Sequence, residues 1–196
     1  MKKTLSLFLL IIVFTINACA PLAAATPVVV APSQNPTVDE KIPTLSLEIL
    51  RSGIYRSPNW GEFQLSNGVY YRTPPTSQES PEAYTTRLLD TVIYGDINLD
   101  GSEDALVFLN TQNGGTGHFI EMAAVLNLSG SAFNISTLDL GDRVVVESGT
   151  IQDGAVTLNL RVHGPNDPAC CPSQLATWNY HFDGTQLVQV SSTDPL

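Results

Sequence analysis

The run Val144-Val145-Val146-Glu147-Ser148-Gly149-Thr150-Ile151-Gln152-Asp153-Gly154-Ala155-Val156-Thr157-Leu158-Asn159-Leu160-Arg161-Val162-His163 decides the fold class. Val156, Leu158, Leu160 and Val162 alternate with Thr157, Asn159, Arg161 and His163. A period of two puts the apolar set on one side of a strand and the polar set on the other. Asp153-Gly154 supplies the positive φ angles of a tight hairpin turn, so residues 144–151 and 155–163 pair as antiparallel neighbours. The same device recurs twice. Asn67-Gly68 joins residues 63–65 to 69–72, and Asp183-Gly184 joins residues 177–182 to 186–190, where Trp178, Tyr180 and Phe182 alternate with Asn179, His181 and Asp183.

Residues 105–109 and 120–126 are apolar on both faces apart from Glu121. They are expected to be central strands covered on both sides. Residues 86–94 and 132–140 add further strands. About ten strands in meander order predict a mainly β, single antiparallel domain, sandwich-like or curled toward a barrel. One short N-terminal helix is expected over residues 44–51, with Thr44 as its cap and Leu47, Leu50 and Ile54 on one side.

The N-terminus speaks of address. Met1, Lys2 and Lys3 precede an apolar run over residues 5–16. A basic start and roughly a dozen apolar residues make a secretory signal peptide, too short for a transmembrane helix of about 20 residues. Ile16-Asn17-Ala18-Cys19 follows and resembles the box read by lipoprotein signal peptidase. That resemblance implies removal of residues 1–18 and a lipid on Cys19. Ordinary secretion with cleavage after Ala23-Ala24-Ala25 is the alternative, although a cut after Ala20 would leave Pro21 at the new terminus. Residues 19–43 are then a lipidated cysteine and a Pro/Ala-rich tether, and residues 44–196 the β-rich domain. A proline-rich chain extends ~3.1 Å per residue, so the tether reaches up to ~70 Å.

The formal net charge of the whole chain is −10, and loss of Lys2 and Lys3 moves it two units further. Such a surface repels nucleic acid and anionic membrane faces and is compatible with divalent cations. The chain is expected to act as a monomer.

The acidic stretch Asp96-Ile97-Asn98-Leu99-Asp100-Gly101-Ser102-Glu103-Asp104 carries the chemistry. Oxygen side chains occupy loop positions one, three, five and nine, and glycine occupies six, where the chain must turn. Calcium takes six to eight oxygens at ~2.3–2.6 Å, which this spacing gathers around one point. Asp96, Asn98, Asp100 and Asp104 are the candidate side-chain ligands, with the Ser102 carbonyl beside them. Position twelve is Val107, so the bidentate Glu of a helical EF-hand is missing. The loop lies between strands and is similar to the calcium loops of integrin alpha-subunit propeller repeats. A polar turn bonding its own backbone is the alternative.

Other features carry less. Asn113-Gly114-Gly115-Thr116-Gly117-His118 lacks the Gly-Lys-Ser/Thr ending of a phosphate loop and reads as a flexible connection. Cys170-Cys171, in a loop with three prolines, is expected to form a vicinal disulfide in an oxidising compartment. Two free thiols, or a metal pair with His163, are the alternatives. His118, His163 and His181 accompany no hydrolase elbow or zinc-protease pair. Trp60, Tyr70, Tyr71, Trp178 and Tyr180 line either a sugar- or peptide-binding face or, as strand aromatics do more often, the core.

Together, residues 94–101, 103–105, 114–117, Leu140-Gly141-Asp142-Arg143-Val144, 164–168 and Cys170-Cys171-Pro172 resemble a set of bacterial envelope lipoproteins to which no reaction is assigned. The resemblance spans about residues 47–190 and departs at Leu99, where the pattern has glycine. It implies an extracytoplasmic, membrane-anchored address. The expected function is a binding or accessory domain stabilised by Ca²⁺, acting on an envelope or extracellular ligand. A hydrolase or inhibitor-type domain using the glycine loop and the Cys-Cys loop is the alternative. Cys19→Ala should move the protein from the membrane fraction to the soluble one, because no thioether can form. Equal fatty-acid labelling of wild type and variant would contradict the anchor.

Overall fold

Hairpin chemistry sets the order of the strands. Asn67-Gly68 and Asp153-Gly154 both take positive φ at each turn residue, at 50° and 83° and at 49° and 74°. Ser129-Gly130 makes a further turn of this kind, at 55° and 91°. The computed structural model describes residues 43–72 and 83–193, which belong to one compact unit. The expected signal peptide, Cys19 and the expected tether up to residue 42 lie outside the described residues.

The elements are α1 (Leu47–Arg51), β1 (Ile54–Ser57), β2 (Gly61–Gln64), β3 (Val69–Arg72), β4 (Tyr84–Gly95), β5 (Asp104–Gln112), β6 (Phe119–Leu128), β7 (Ser131–Asp142), β8 (Val145–Gln152), β9 (Ala155–Val162), β10 (Gln174–Phe182) and β11 (Leu187–Ser192). All pairings are antiparallel between chain neighbours. β3-β4-β5-β6-β7 form a five-stranded meander, β8 to β11 a four-stranded one, and β1-β2 a separate hairpin. Among the described residues the domain is all-β apart from one five-residue helix, as the alternation predicts. Register shifts in β4–β5 and β6–β7 are the bulges with which a sheet bends and curls.

The central strands β5 and β6 of the five-stranded sheet are buried on both faces. Leu106, Phe108, Met122 and Ala124 meet Val156, Leu158, Leu160 and Tyr180 of the four-stranded sheet. Ala105, Val107, Leu109, Ala123 and Val125 meet Leu50, Tyr55, Phe63 and Leu65 from α1 and the β1–β2 hairpin. At the edge where β4 meets β8, a Cβ on Gly149 would lie 2.4 Å from the Ile93 side chain, and one on Gly95 2.6 Å from Ile151. Only glycine lets the two sheets approach so closely there.

Two details differ from the sequence reading. Helix α1 begins after Ser46, whose hydroxyl accepts from the Ile49 N–H, so Thr44 is not the cap. Ile54 opens β1, an eleventh strand, instead of lying on the helix face. Its neighbour Tyr55 reaches back to α1, its hydroxyl donating to the Leu50 carbonyl at 2.8 Å.

Candidate functional site

Residues 96–103 connect β4 to β5 and turn through Leu99 at φ 62° and Gly101 at φ 87°. A leucine in the left-handed region carries a steric cost that glycine avoids. Asp96 holds the turn from inside. Its Oδ1 accepts the Asp100 N–H at 3.1 Å and its Oδ2 the Gly101 N–H at 2.9 Å. Asn98 Oδ1 accepts the same Asp100 N–H at 3.1 Å, and its Nδ2 donates to Asp100 Oδ2 at 2.9 Å. Asp100 Oδ1 accepts the Ser102 N–H at 2.7 Å. The Asn98 amide and the Ser102 N–H hold the Asp100 carboxyl below its ordinary range. Asp96, Asn98 and Asp100 are therefore gathered within one turn. Each carboxylate oxygen has two lone pairs, so one hydrogen bond leaves room for a second partner.

Asp104 has a different post. It is fully buried. Its Oδ2 accepts the Ile97 N–H at 2.9 Å and its Oδ1 the Asn127 N–H at 2.8 Å. Asn127 extends the contact: its Nδ2 donates to the Pro43 carbonyl at 2.8 Å and to Glu103 at 3.3 Å, and its Oδ1 accepts the Gly130 N–H at 2.7 Å. Burial raises the Asp104 pKa, the two N–H groups pull it back, and the charges of Asp100 and Asp96 raise it again. Among the described residues no three acidic, histidine or cysteine side chains stand together as a ready metal cage. A cation at the loop would have to displace the Asn98 Nδ2 donor from Asp100 Oδ2.

The glycine loop meets Arg143. The Arg143 guanidinium binds the Thr116 carbonyl and the Asp142 carboxylate. The Arg143 N–H reaches the His118 carbonyl, and the His118 N–H reaches Asp142 Oδ1, both at 2.7 Å. The His118 ring lies against the Asn110 and Gln112 amides. Cys170 and Cys171 are disulfide-bonded to each other and exposed, in the loop that leaves β9. The glycine loop and Arg143 thus come together, and on the far side of Asp142 a cleft is lined by His163, Leu140, Val144 and Trp178.

Sequence reasoning missed one buried group. Glu121 is fully buried, facing its cross-strand partner Asp139. Ser57 Oγ donates to its Oε1 at 2.6 Å, and Asn59 Nδ2 lies 3.4 Å from the same oxygen and 3.0 Å from Asp139 Oδ2. Its Oε2 is buried without a partner, as is Trp60 Nε1. The only sequence signal was an acid in an otherwise apolar strand. Neither the sequence nor the fold matches a family model, a curated protein or a solved structure.

Burial, reinforced by Asp139, raises the Glu121 pKa above its ordinary 4.5, against the pull of the Ser57 and Asn59 hydrogen bonds. The folded protein then binds a proton that the unfolded chain releases, so Glu121 costs stability as pH rises from its unfolded value through its folded one. Glu121→Gln removes that slope. The melting temperature of the variant should gain on wild type between pH 4 and pH 8, measured by differential scanning calorimetry. A difference that does not change with pH would contradict a buried, titrating Glu121.

Proposed function

We propose that this chain is a lipid-anchored extracytoplasmic binding or accessory domain whose acidic loop takes one calcium ion. The lipid is on Cys19, and residues 20–43 carry the domain above the bacterial membrane. Asp96, Asn98, Asp100 and Asp104 supply side-chain oxygens, and Ser102 its carbonyl. One observation carries the reading: Asp104, the ninth loop position, is wired into β6 through the Asn127 N–H. An ion at the loop would therefore act on the core and not on a surface turn alone. It would also offset repulsion among Asp96, Asp100 and Asp104, whose charges already raise the Asp104 pKa. A fully coordinated ion has no open position for substrate, which suits a structural role better than a catalytic one. The Cys170–Cys171 loop reaches the His163 cleft through Gly164 and Pro165, whereas residues 113–117 of the glycine loop do not line it, so the two loops of the hydrolase reading do not meet there.

A ligand that binds only the folded state adds ~2.7 kcal/mol at a hundredfold excess over Kd. For a domain of this size that raises the melting temperature by roughly 5–10 °C, at about 2–4 °C per kcal/mol. Millimolar calcium should produce this shift in the metal-stripped full chain held in detergent. Asp100→Ala should abolish it, and Mg²⁺ should substitute poorly because it requires a smaller, stricter octahedron. An unchanged melting curve would make the loop an ordinary turn.

A further inference from the structure

We propose that the cleft at the end of the sandwich, between the 141–144 turn and the loop after β9, binds a neutral sugar ring. The proposal rests on the binding-domain reading and names the ligand class.

The cleft has a volume of about 470 Å³, the size range of small-ligand sites. Leu140, Val144, Val162 and Trp178 form its apolar lining. Trp178 lies opposite Leu158 in the register and packs against the core shared by the two sheets. Asp142, His163 and Gln174 stand around this lining. An indole beside short-range donors and acceptors suits a ring with one C–H face and several hydroxyls. Charge selects among such rings. Asp142 is the one acid lining the cleft, and Arg143 already pairs with it. The chain as a whole carries −10. A cleft with its acid neutralised offers no counter-charge to a cationic ligand, and the surrounding field repels an anionic one.

The wall of the cleft is stiffened beyond what the core requires. Gly164 and Pro165 form it, in a loop that also holds Pro168, the Cys170–Cys171 disulfide and Pro172. Asp167 ties the loop shut: its Oδ2 accepts from the Gly164 N–H at 2.8 Å and the Ser173 N–H at 2.7 Å, and its Oδ1 accepts the Ser173 hydroxyl at 2.7 Å. Most of these residues are exposed, so the rigidity contributes little to the core. It does fix the wall before a ligand arrives, which lowers the entropy lost on binding.

The test is a titration of the full chain in detergent with cellotetraose, maltotetraose and chitotetraose, and with tetragalacturonate as a charged control. Trp60 and Trp178 are the only tryptophans, so in a Trp60→Phe background fluorescence reports Trp178 alone. A saturable change with at least one neutral tetrasaccharide and none with the acidic one is expected. Gln174→Ala and His163→Ala should each weaken it by about tenfold, the loss of one good hydrogen bond. These variants carry the test because Trp178→Ala would also remove core contacts. Run with millimolar calcium and with chelator, the titration separates the two readings: sugar binding without a calcium-dependent melting shift fails the calcium reading alone, and a melting shift without sugar binding fails this one. No response to any neutral sugar, a response only to tetragalacturonate, or binding undiminished in both polar variants would overturn the proposal.

Discussion

The buried carboxylate of Asp104, shared between the Ile97 and Asn127 N–H groups, is the contact on which the rest depends. Taking a carboxylate out of water costs several kcal/mol unless its oxygens are satisfied. Here two backbone donors satisfy it, and the expense yields a junction. The acidic loop, the start of β5 and the end of β6 meet at one side chain. Asn127 then ties in Pro43, where the described chain begins, and Gly130 of the β6–β7 turn. Three segments distant in sequence, at Pro43, at residues 97–104 and at residues 127–130, are thereby held at one end of the central sheet.

The opposite end of that sheet is built differently. β6 runs ten residues from Phe119 to Leu128, about 34 Å at the rise of an antiparallel strand. Asn127 marks the clasped end, and His118, just before β6, marks the end where Asp142 and Arg143 meet the glycine loop. The His163 cleft opens beside Asp142, near this second end. An ion at the loop and a ligand in the cleft are thus separated by the length of a buried strand. Under the two proposals, that separation gives stability to one end and recognition to the other. Glu121 sits between them on the outer face, the one carboxyl of the strand, under the β1–β2 hairpin.

Much of the fold was legible because its signals are local. Asn67-Gly68 and Asp153-Gly154 declare their turns by residue type alone. The doubly apolar runs in β5 and β6 announced central strands. What escaped depended on partners far away in sequence. β1 is too short to show a period, and Ile54 fitted a helical face equally well until Phe63 arrived opposite Tyr55. Ser46 and Thr44 are both good caps by composition, and only the geometry selected Ser46. At the acidic loop, the spacing suggested four side-chain ligands around one point, with the Ser102 carbonyl beside them. The structure separates Asp104, buried and bound to β6, from Asp96, Asn98 and Asp100, which organise the turn itself. No local pattern could show that division, because Asn127 lies twenty-three residues away from Asp104.

The claim that Asp104 couples the loop to the core is tested most directly by amide hydrogen exchange, with calcium and with chelator. The amides of Leu106, Phe108, Met122 and Ala124 lie in the buried centre of β5 and β6, where exchange reports global opening. Calcium should slow them together with the loop amides, by a common factor. Protection confined to residues 96–104, or no change at any of these amides, would contradict the coupling.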